Sequence, residues 1–343
     1  MVALDDLKKE AKGLLEDGSV KYIIGYKRAA DGFTSIPAFF KKAEDVETMV
    51  WDPLCYHNLT RFIREEKKNK LKSKEPDTRP IGIVVKGCDS RAINVLLQEN
   101  FMERSDIFLL GVSCENSGMS EFMKLIKKAK GKPIKGIEFT PNGDFTISFP
   151  DGETKVPANE LLAGRCLECQ SNFPVVFDIF FGEKTSRSLE KPFGSIEVIE
   201  NLSQEKKHSF WKDKFEDCIR CYACRSVCPM CYCDECVADT INFAVYPDTS
   251  AEEKAQKIKW VEKSPTSSEN FVYHMVRAIH LAGRCIDCGE CERACPVDIP
   301  IRLLNKKLEK EAKELFDYEA GYDPEQPSLV SSFKDEDPED FIR

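Results

Sequence analysis

The chain lacks any long apolar run, since no stretch approaches the roughly 20 residues that a membrane-spanning helix needs. It also lacks an excess of positive charge. Its 50 basic and 59 acidic residues give a formal net charge of −9, which argues against nucleic acid as a main partner. The start, MVALDDLKKEAKGLL, is charged and amphipathic rather than signal-like, and no twin-arginine motif is present. We therefore expect a cytoplasmic protein.

Histidine is scarce, whereas cysteine is abundant: the chain has 4 histidines and 16 cysteines. In a reducing compartment, thiols in this number are expected to be metal ligands rather than disulfides. Two of the histidines, His274 and His280, fall in a predicted helix, where packing or solvent exposure is expected rather than ligation. So many metal-binding thiols favour a role in anaerobic metabolism.

Eight cysteines form two copies of the C-x2-C-x2-C-x3-C-P run of bacterial-type ferredoxins, CIRCYACRSVCP and CIDCGECERACP. Three cysteines of each run wrap one 4Fe–4S cubane, while the fourth ligates the other cluster. Zinc also accepts four thiolates, but it usually pairs two C-x2-C knuckles, so the repeated run favours iron–sulfur clusters. The predicted ligands of the first cluster are Cys218, Cys221, Cys224 and Cys295. Those of the second cluster are Cys285, Cys288, Cys291 and Cys228.

The first part of the chain, residues 1–204, predicts an α/β domain. Residues 81–100 (IGIVVKGCDSRAINVLLQEN) predict a buried strand, a glycine turn and an amphipathic helix, the βα unit of a parallel sheet. Asn142-Gly143 lies between alternating apolar residues and predicts a β-hairpin. A helix is predicted over 37–70, and further strands are predicted at 107–112, 175–181 and 195–199.

After residue 204 the strand patterns end, and charged amphipathic helices connect the cysteine motifs. Residues 205–318 predict a mostly helical dicluster ferredoxin domain, with helices at 251–263, 269–283 and 303–318. Residues 319–343 predict an acidic extended tail. This tail and the basic stretch 61–74 are candidate docking surfaces for a partner.

Four of the remaining cysteines lie near the predicted sheet. Cys88 and Cys114 follow two predicted strands, at the sheet edge where open α/β folds bind ligands. Cys166-Leu-Glu-Cys169 brings two more thiols in one loop. We expect these four to hold a third 4Fe–4S cluster; the alternative is a buried cysteine beside an incidental C-x2-C. Asp89 is predicted to cap the helix after Cys88, and an arginine two residues further on could meet an anionic cofactor.

The last four cysteines allow three interpretations. Cys231, Cys233 and Cys236 directly follow the first ferredoxin motif, and Cys55 is the cysteine left unassigned. Because 16 thiolates divide into four sets of four, one hypothesis is a fourth cluster on these residues. A zinc site and unmetallated thiols are the alternatives.

The stretches IGIVVKGCDSRAINVLLQEN, IFLLGVSC and AGRCLEC, within residues 81–170, resemble the beta subunits of coenzyme F420 (deazaflavin) hydrogenases and dehydrogenases, which include formate dehydrogenase beta subunits. The C-terminal motifs resemble iron–sulfur subunits of heterodisulfide-reductase-type complexes. The resemblance implies an α/β domain that carries a 4Fe–4S cluster beside an FAD, with Cys88, Cys114, Cys166 and Cys169 as the cluster ligands. It also implies partner subunits that are flavin-containing, bifurcating, hydrogenase or formate dehydrogenase proteins.

Two functions follow as hypotheses. The first is an iron–sulfur electron-transfer subunit of a cytoplasmic multi-subunit redox complex, which relays single electrons and has no catalytic residue of its own. The alternative is an FAD-containing subunit that converts hydride from reduced deazaflavin or NAD(P)H into single electrons, with the chemistry carried by the flavin. A zinc-stabilised structural adaptor is a third interpretation.

Overall fold

The structure, a computed structural model, describes residues 4–114, 118–140, 142–184, 191–233, 236, 238, 250, 265–330 and 332. The strands are β1 (Ile23–Arg28), β2 (Ser35–Phe40), β3 (Ile81–Val85), β4 (Ile107–Val112), β5 (Gly136–Phe139), β6 (Phe145–Phe149), β7 (Gly152–Val156) and β8 (Ile179–Phe181). The helices are α1 (Leu4–Glu16), α2 (Arg61–Lys72), α3 (Gly87–Gln98), α4 (Phe122–Ala129), α5 (Ala158–Leu161), α6 (Gly164–Leu167), α7 (Gly194–Glu200), α8 (Gln204–Glu216), α9 (Ala223–Ser226), α10 (Ser267–Leu281), α11 (Glu290–Arg293) and α12 (Ile301–Phe316). Two 3₁₀ helices span Ala43–Thr48 and Arg104–Asp106.

The main sheet has the order β2-β1-β3-β4-β8. Strands β1, β3, β4 and β8 are parallel, and β2 pairs antiparallel with β1 at the edge. All five residues of β3 are buried, as expected for a strand covered on both faces. The predicted βα unit is therefore confirmed, and the carboxyl ends of β3 and β4 lie side by side.

Helix α3 begins immediately after β3 because of two neighbouring charges. Asp89 accepts a hydrogen bond from the backbone amide of Lys86 at 2.9 Å, which forms the predicted cap. The Lys86 ammonium pairs with the same carboxylate at 2.9 Å, and both side chains are buried. A second oxygen of Asp89 accepts from the Leu59 amide, which ties the helix start to the preceding loop.

The second sheet is antiparallel, with the order β5-β6-β7. Its first turn lies at Asn142-Gly143, where Gly143 has φ +88, so the predicted hairpin is confirmed. The turn is closed by a hydrogen bond from the Gly143 amide to the Thr140 carbonyl at 2.9 Å.

Two of the predicted elements are wrong. The predicted helix 37–70 is α-helical only from Arg61, since a 3₁₀ helix covers Ala43–Thr48 and residues 49–60 lie outside helices. Residues 37–40 continue β2, and Pro37 is tolerated because β2 is an edge strand. The predicted strand at 195–199 is part of helix α7. Its β-branched residues are overridden by tertiary packing, since Ile196 is buried and the Glu200 side chain bonds to α12.

The C-terminal part is built around α10, which packs against α8 and α12. His274 stacks on Phe215 with a centroid distance of 4.5 Å, which agrees with the predicted packing role, and His280 is exposed. The described residues between 191 and 330 form helices and loops. The predicted helix 251–263 lies outside the described residues, so the mostly helical character of this region stays a prediction.

The start of the predicted tail packs on α3. The side chains of Arg91 and Asn94 donate to the carbonyls of Ala320 and Gly321 at 3.0 and 2.9 Å. Gly321 has φ +75, and a Cβ atom there would lie 2.2 Å from the Arg91 carbonyl oxygen, so this docking needs glycine. Among the described helices, none has the length and apolar character needed to cross a membrane.

Candidate metal centres

The first predicted ligand set is brought together by the fold. Cys218, Cys221, Cys224 and Cys295 line one cavity, although Cys295 is contributed by the second motif. Burial raises the pKa of the Cys218 thiol, and the nearby thiols of Cys224 and Cys295 raise it further. The four sulfur-bearing side chains therefore converge as expected for cross-ligation, and Cys221 is exposed to solvent.

The two ferredoxin motifs share one backbone conformation. Arg220 and Tyr222 have φ of +54 and +59, and the residues at the same positions in the second motif, Asp287 and Gly289, have φ of +52 and +67. Left-handed backbone is uncommon away from glycine and concentrates at functional sites. The matching pairs indicate that both loops are bent in the same way around their cavities.

The second set of cysteines is less exposed to solvent than the first set. Burial raises the pKa of Cys288, and Glu290, Cys291 and Cys285 raise it further, so these three cysteines adjoin. The Cys228 thiol is hydrogen-bonded to Cys231, and the hydrogen bond is the main cause of the raised pKa of Cys231. The assignment of Cys228 to the second set stays a prediction.

The third set converges at the edge of the main sheet. Cys88 follows β3, Cys114 follows β4, and Cys166 and Cys169 belong to the loop at α6; all four line one cavity. Burial raises the pKa of Cys114, and the thiols of Cys88, Cys169 and Cys166 raise it further. The Cys114 amide donates to the Asn172 carbonyl at 2.8 Å, which holds the loop against the strand end. The four thiols therefore lie together at the sheet edge, and their role as cluster ligands stays a prediction.

A close backbone approach creates this third cavity. A Cβ atom on Gly87 would lie 1.9 Å from the Ser171 carbonyl oxygen, so only glycine lets the start of α3 meet the loop after Cys169.

We expect Gly87→Ala to push Cys88 away from Cys169 and to lower bound iron by about four atoms per chain, the content of one cubane. Iron analysis of the anaerobically purified variant measures this. Gly136→Ala is the matched control because no atom lies within 4 Å of its Cβ position. Equal iron in both variants would contradict the prediction.

Three of the last four cysteines also share a cavity. Cys231, Cys233 and Cys236 line a cavity of about 320 Å³. Cys55 is fully buried, with its sulfur 3.4 Å from the Asp52 amide nitrogen and 3.8 Å from the Val50 carbonyl oxygen. It is not among the described residues that line that cavity. The fourth set therefore stays a prediction.

The donor sets fit iron–sulfur clusters. Within the described ranges, no group of three or more histidine, cysteine, aspartate or glutamate side chains is arranged around a single metal ion. A cubane instead spreads its thiolate ligands over four irons. Burial raises the pKa of Cys88 and Cys285 to about 12, so these groups would be thiolates at neutral pH only beside a strong cationic partner, which the irons of a cluster would supply.

The sets adjoin one another. Burial raises the pKa of Cys291 to about 11, and the thiol of Cys224, from the first set, raises it further. Arg165 is buried and donates to the carbonyl of Cys288 in the second set. Its pKa is raised, despite burial, by the thiols of Cys166 and Cys88 in the third set. The first, second and third sets therefore follow one another in space.

The sequence analysis did not identify a row of polar side chains on one face of α10, formed by Asn270, Tyr273 and Arg277. The Asn270 side chain donates to the Phe215 and Cys218 carbonyls, both at 2.9 Å. The Tyr273 hydroxyl lies 3.3 Å from the Cys224 sulfur, and Arg277 donates to the Cys224 carbonyl at 3.1 Å. Polar residues at positions i, i+3 and i+7 of an otherwise amphipathic helix were the available signal.

A groove lies beside the third cavity. It has a volume of about 520 Å³ and shares Arg165 with that cavity. Tyr56, Phe122 and Met123 contribute apolar surface, Arg293 and Arg302 add two further guanidinium groups, and three carboxylates also line it: Glu121, Glu292 and Asp298. Its size and mixed lining are those of a small-molecule or cofactor site.

Comparison with known proteins finds two family models that match the chain. Residues 78–210 match the family model for the C terminus of the coenzyme F420 hydrogenase/dehydrogenase beta subunit, and residues 214–299 match a 4Fe–4S dicluster domain. The chain is 24% identical to the F420-dependent formate dehydrogenase subunit beta of Methanocaldococcus jannaschii, over 93% of this chain and 92% of that protein. It is 27% identical to F420-dependent formate dehydrogenase 1 subunit beta of Methanococcus maripaludis, over 93% and 91%.

Among solved structures, the xenon-derivatised F420-reducing [NiFe] hydrogenase complex from Methanosarcina barkeri contains a chain with 14% identity and a TM-score of 0.38. The match covers 50% of this chain and 64% of that one, so it carries no argument about fold or function. The recognition from sequence is confirmed by the family matches: residues 78–210 match the model of the coenzyme F420 hydrogenase/dehydrogenase beta subunit, and residues 214–299 match that of a 4Fe–4S dicluster domain.

Proposed function

We propose that the chain is the iron–sulfur electron-transfer subunit of a multi-subunit redox complex. The observation that carries the proposal is the spatial sequence of three cysteine sets. It begins at the solvent-exposed Cys221 and reaches the second set where α9 contacts α11. It continues through Arg165, which donates to the Cys288 carbonyl and lines the same cavity as Cys88. Such an arrangement gives single electrons a path from the surface of the dicluster domain to the edge of the main sheet.

The relatives indicate the kind of complex. Both are named as beta subunits of F420-dependent formate dehydrogenases, and the chain spans more than nine-tenths of each. We therefore propose a partner that carries the formate dehydrogenase or hydrogenase catalytic site, which exchanges electrons with the chain. We also retain three regions, 1–204, 205–318 and 319–343, as an α/β domain, a mostly helical ferredoxin domain and a tail.

The chain's own residues would hold and insulate the clusters. Each cubane supplies a one-electron redox centre, whose potential depends on the surrounding charge and hydrogen bonds. The thiolates of the first three sets would ligate the irons. Asn270 fixes the Cys218 loop, and Arg165 fixes the Cys288 loop against α6. Those contacts keep the ligand loops in place when the charge of a cluster changes.

The groove beside the third set favours a second candidate function. We propose FAD as its occupant, in which case the arginines of the lining would bind the pyrophosphate and the apolar residues would contact the ring system. Bound there, the flavin would exchange a hydride with deazaflavin or NAD(P)H and pass single electrons onward. The only phosphate-loop-like spacing in the sequence, Gly82-x4-Gly87, lies elsewhere, so the arginines would have to bind the phosphates.

Chemical analysis of the anaerobically purified chain separates these possibilities. We expect at least about 12 irons and as many acid-labile sulfides per chain, from three cubanes at four irons each. About 16 irons would add the fourth set, which includes Cys55. Stoichiometric extractable flavin would establish the second candidate, and its absence would leave the relay alone. A preparation with zinc in place of iron would contradict both functions.

A further inference from the structure

The buried guanidinium of Arg277 lies where the two ferredoxin ligand sets meet. The residue is 4% exposed and projects from the cysteine-facing side of α10. Burial lowers its pKa, but the thiols of Cys231, Cys224 and Cys228 raise it strongly, with Cys291 contributing as well. One side chain is therefore close to a cysteine of the first set and to cysteines assigned to the second.

The described part of the chain satisfies only some of the hydrogen-bond donors of Arg277. One terminal nitrogen donates to the Cys224 carbonyl at 3.1 Å. Its Nε atom is buried and has no acceptor among the described residues. No described carboxylate pairs with it either, although other buried arginines of this chain have such partners, as Arg302 has in Asp287. Burying a charge and an N–H without a partner is costly, so an anionic acceptor is expected beside them.

A cubane with four thiolate ligands is such an acceptor. It is anionic, it presents sulfur atoms that accept hydrogen bonds, and it becomes more negative on reduction. Nearby charge and hydrogen bonds to sulfur are established determinants of cluster potential. A fixed cation between two clusters stabilises the reduced form of each and raises its reduction potential.

We propose that Arg277 sets the reduction potentials of the two ferredoxin-type clusters, by donating to their sulfur atoms and by holding its positive charge between them. The inference rests on the proposed relay function and adds a positioning residue that belongs to neither cysteine motif. It also explains why a long basic side chain lies on the buried face of α10, where an apolar residue would pack without cost.

The test is an anaerobic redox titration of the full chain, followed by electron paramagnetic resonance. For Arg277→Met we expect the ratio of reduced to oxidised cluster, at a fixed potential, to fall at least tenfold for one of the two ferredoxin-type clusters. For a one-electron couple this is about 59 mV. Arg277→Lys keeps the charge but loses the planar donor group, so a smaller fall in the same direction is expected.

Lys212→Met is the matched control, because it removes the same charge from an exposed position on α8. We expect its potentials to equal those of the unaltered chain. An Arg277→Met variant with full iron and unchanged potentials would overturn the inference, while an unaltered chain without iron would overturn the relay function instead. If the methionine variant loses iron, Arg277→Lys decides, and an unchanged potential there overturns the inference.

Discussion

Replacing Cys114 with serine should lower the iron content by about four atoms per chain and leave both ferredoxin-type clusters in place. Serine is nearly the same size, but its hydroxyl is a poor ligand for iron compared with a thiolate. Cys114 lies with Cys88, Cys166 and Cys169 around one cavity, and the first two ligand sets lie on other elements. The loss should therefore stay local to the third set.

Two measurements check this expectation. Iron and sulfide analysis gives the loss, and electron paramagnetic resonance of the reduced protein shows which cluster signal disappears. Met119→Leu is the matched control, because Met119 lines the same cavity and the exchange nearly conserves volume. If Cys114→Ser kept all the iron found in this control, the third set would not be a cluster site.

The convergence of the cysteines in the first and third sets was predictable, because its signals are local or follow from simple topology. The C-x2-C-x2-C-x3-C-P spacing determines a loop conformation by itself, and the repeated left-handed residues, such as Tyr222 and Gly289, reflect it. Cys88 and Cys114 could be placed because each directly follows an apolar strand. Parallel neighbours put such residues at the same sheet edge, and β3 pairs in parallel with β4.

The contacts between the sets could not be predicted, because they join residues that are far apart in the chain. The local sequence around Arg165 does not indicate that its side chain reaches the Cys288 carbonyl. The local sequence around Tyr322 likewise does not indicate that the start of the tail lines the third cavity. Helix α7 was mistaken for a strand for the same reason: its conformation is stabilised by packing on α12 rather than by local propensity.

The largest effect on stability is expected from Arg302→Met on α12. Arg302 donates to the Asp287 carboxylate from two nitrogens, at 2.6 and 2.9 Å, and also to Glu168. Asp287 lies between Cys285 and Cys288, and Glu168 lies between Cys166 and Cys169, so Arg302 joins the loops of the second and third sets. All three side chains are less than a tenth exposed. Removal of the cation leaves Asp287 with Lys306 as its ion-pair partner and Glu168 with hydrogen bonds from Ser195. We therefore expect a cost at the lower end of the about 3–5 kcal/mol that breaking a buried ion pair typically costs.

Urea-induced loss of the cluster absorbance near ~400 nm, an absorption expected of iron–sulfur ligation, should shift to lower urea in Arg302→Met. Midpoints are compared because bound clusters make unfolding deviate from two states. Lys307→Met is the matched control on the same helix: its ion pairs with Glu200 and Glu311 are partly exposed, and such pairs contribute about 0–1 kcal/mol. Equal midpoints for the two variants would mean that the second and third loops are held together by packing rather than by Arg302. A lower midpoint in Arg302→Met alone would instead show that Arg302, beside Arg165, is a structural connection between the dicluster domain and the edge of the α/β sheet.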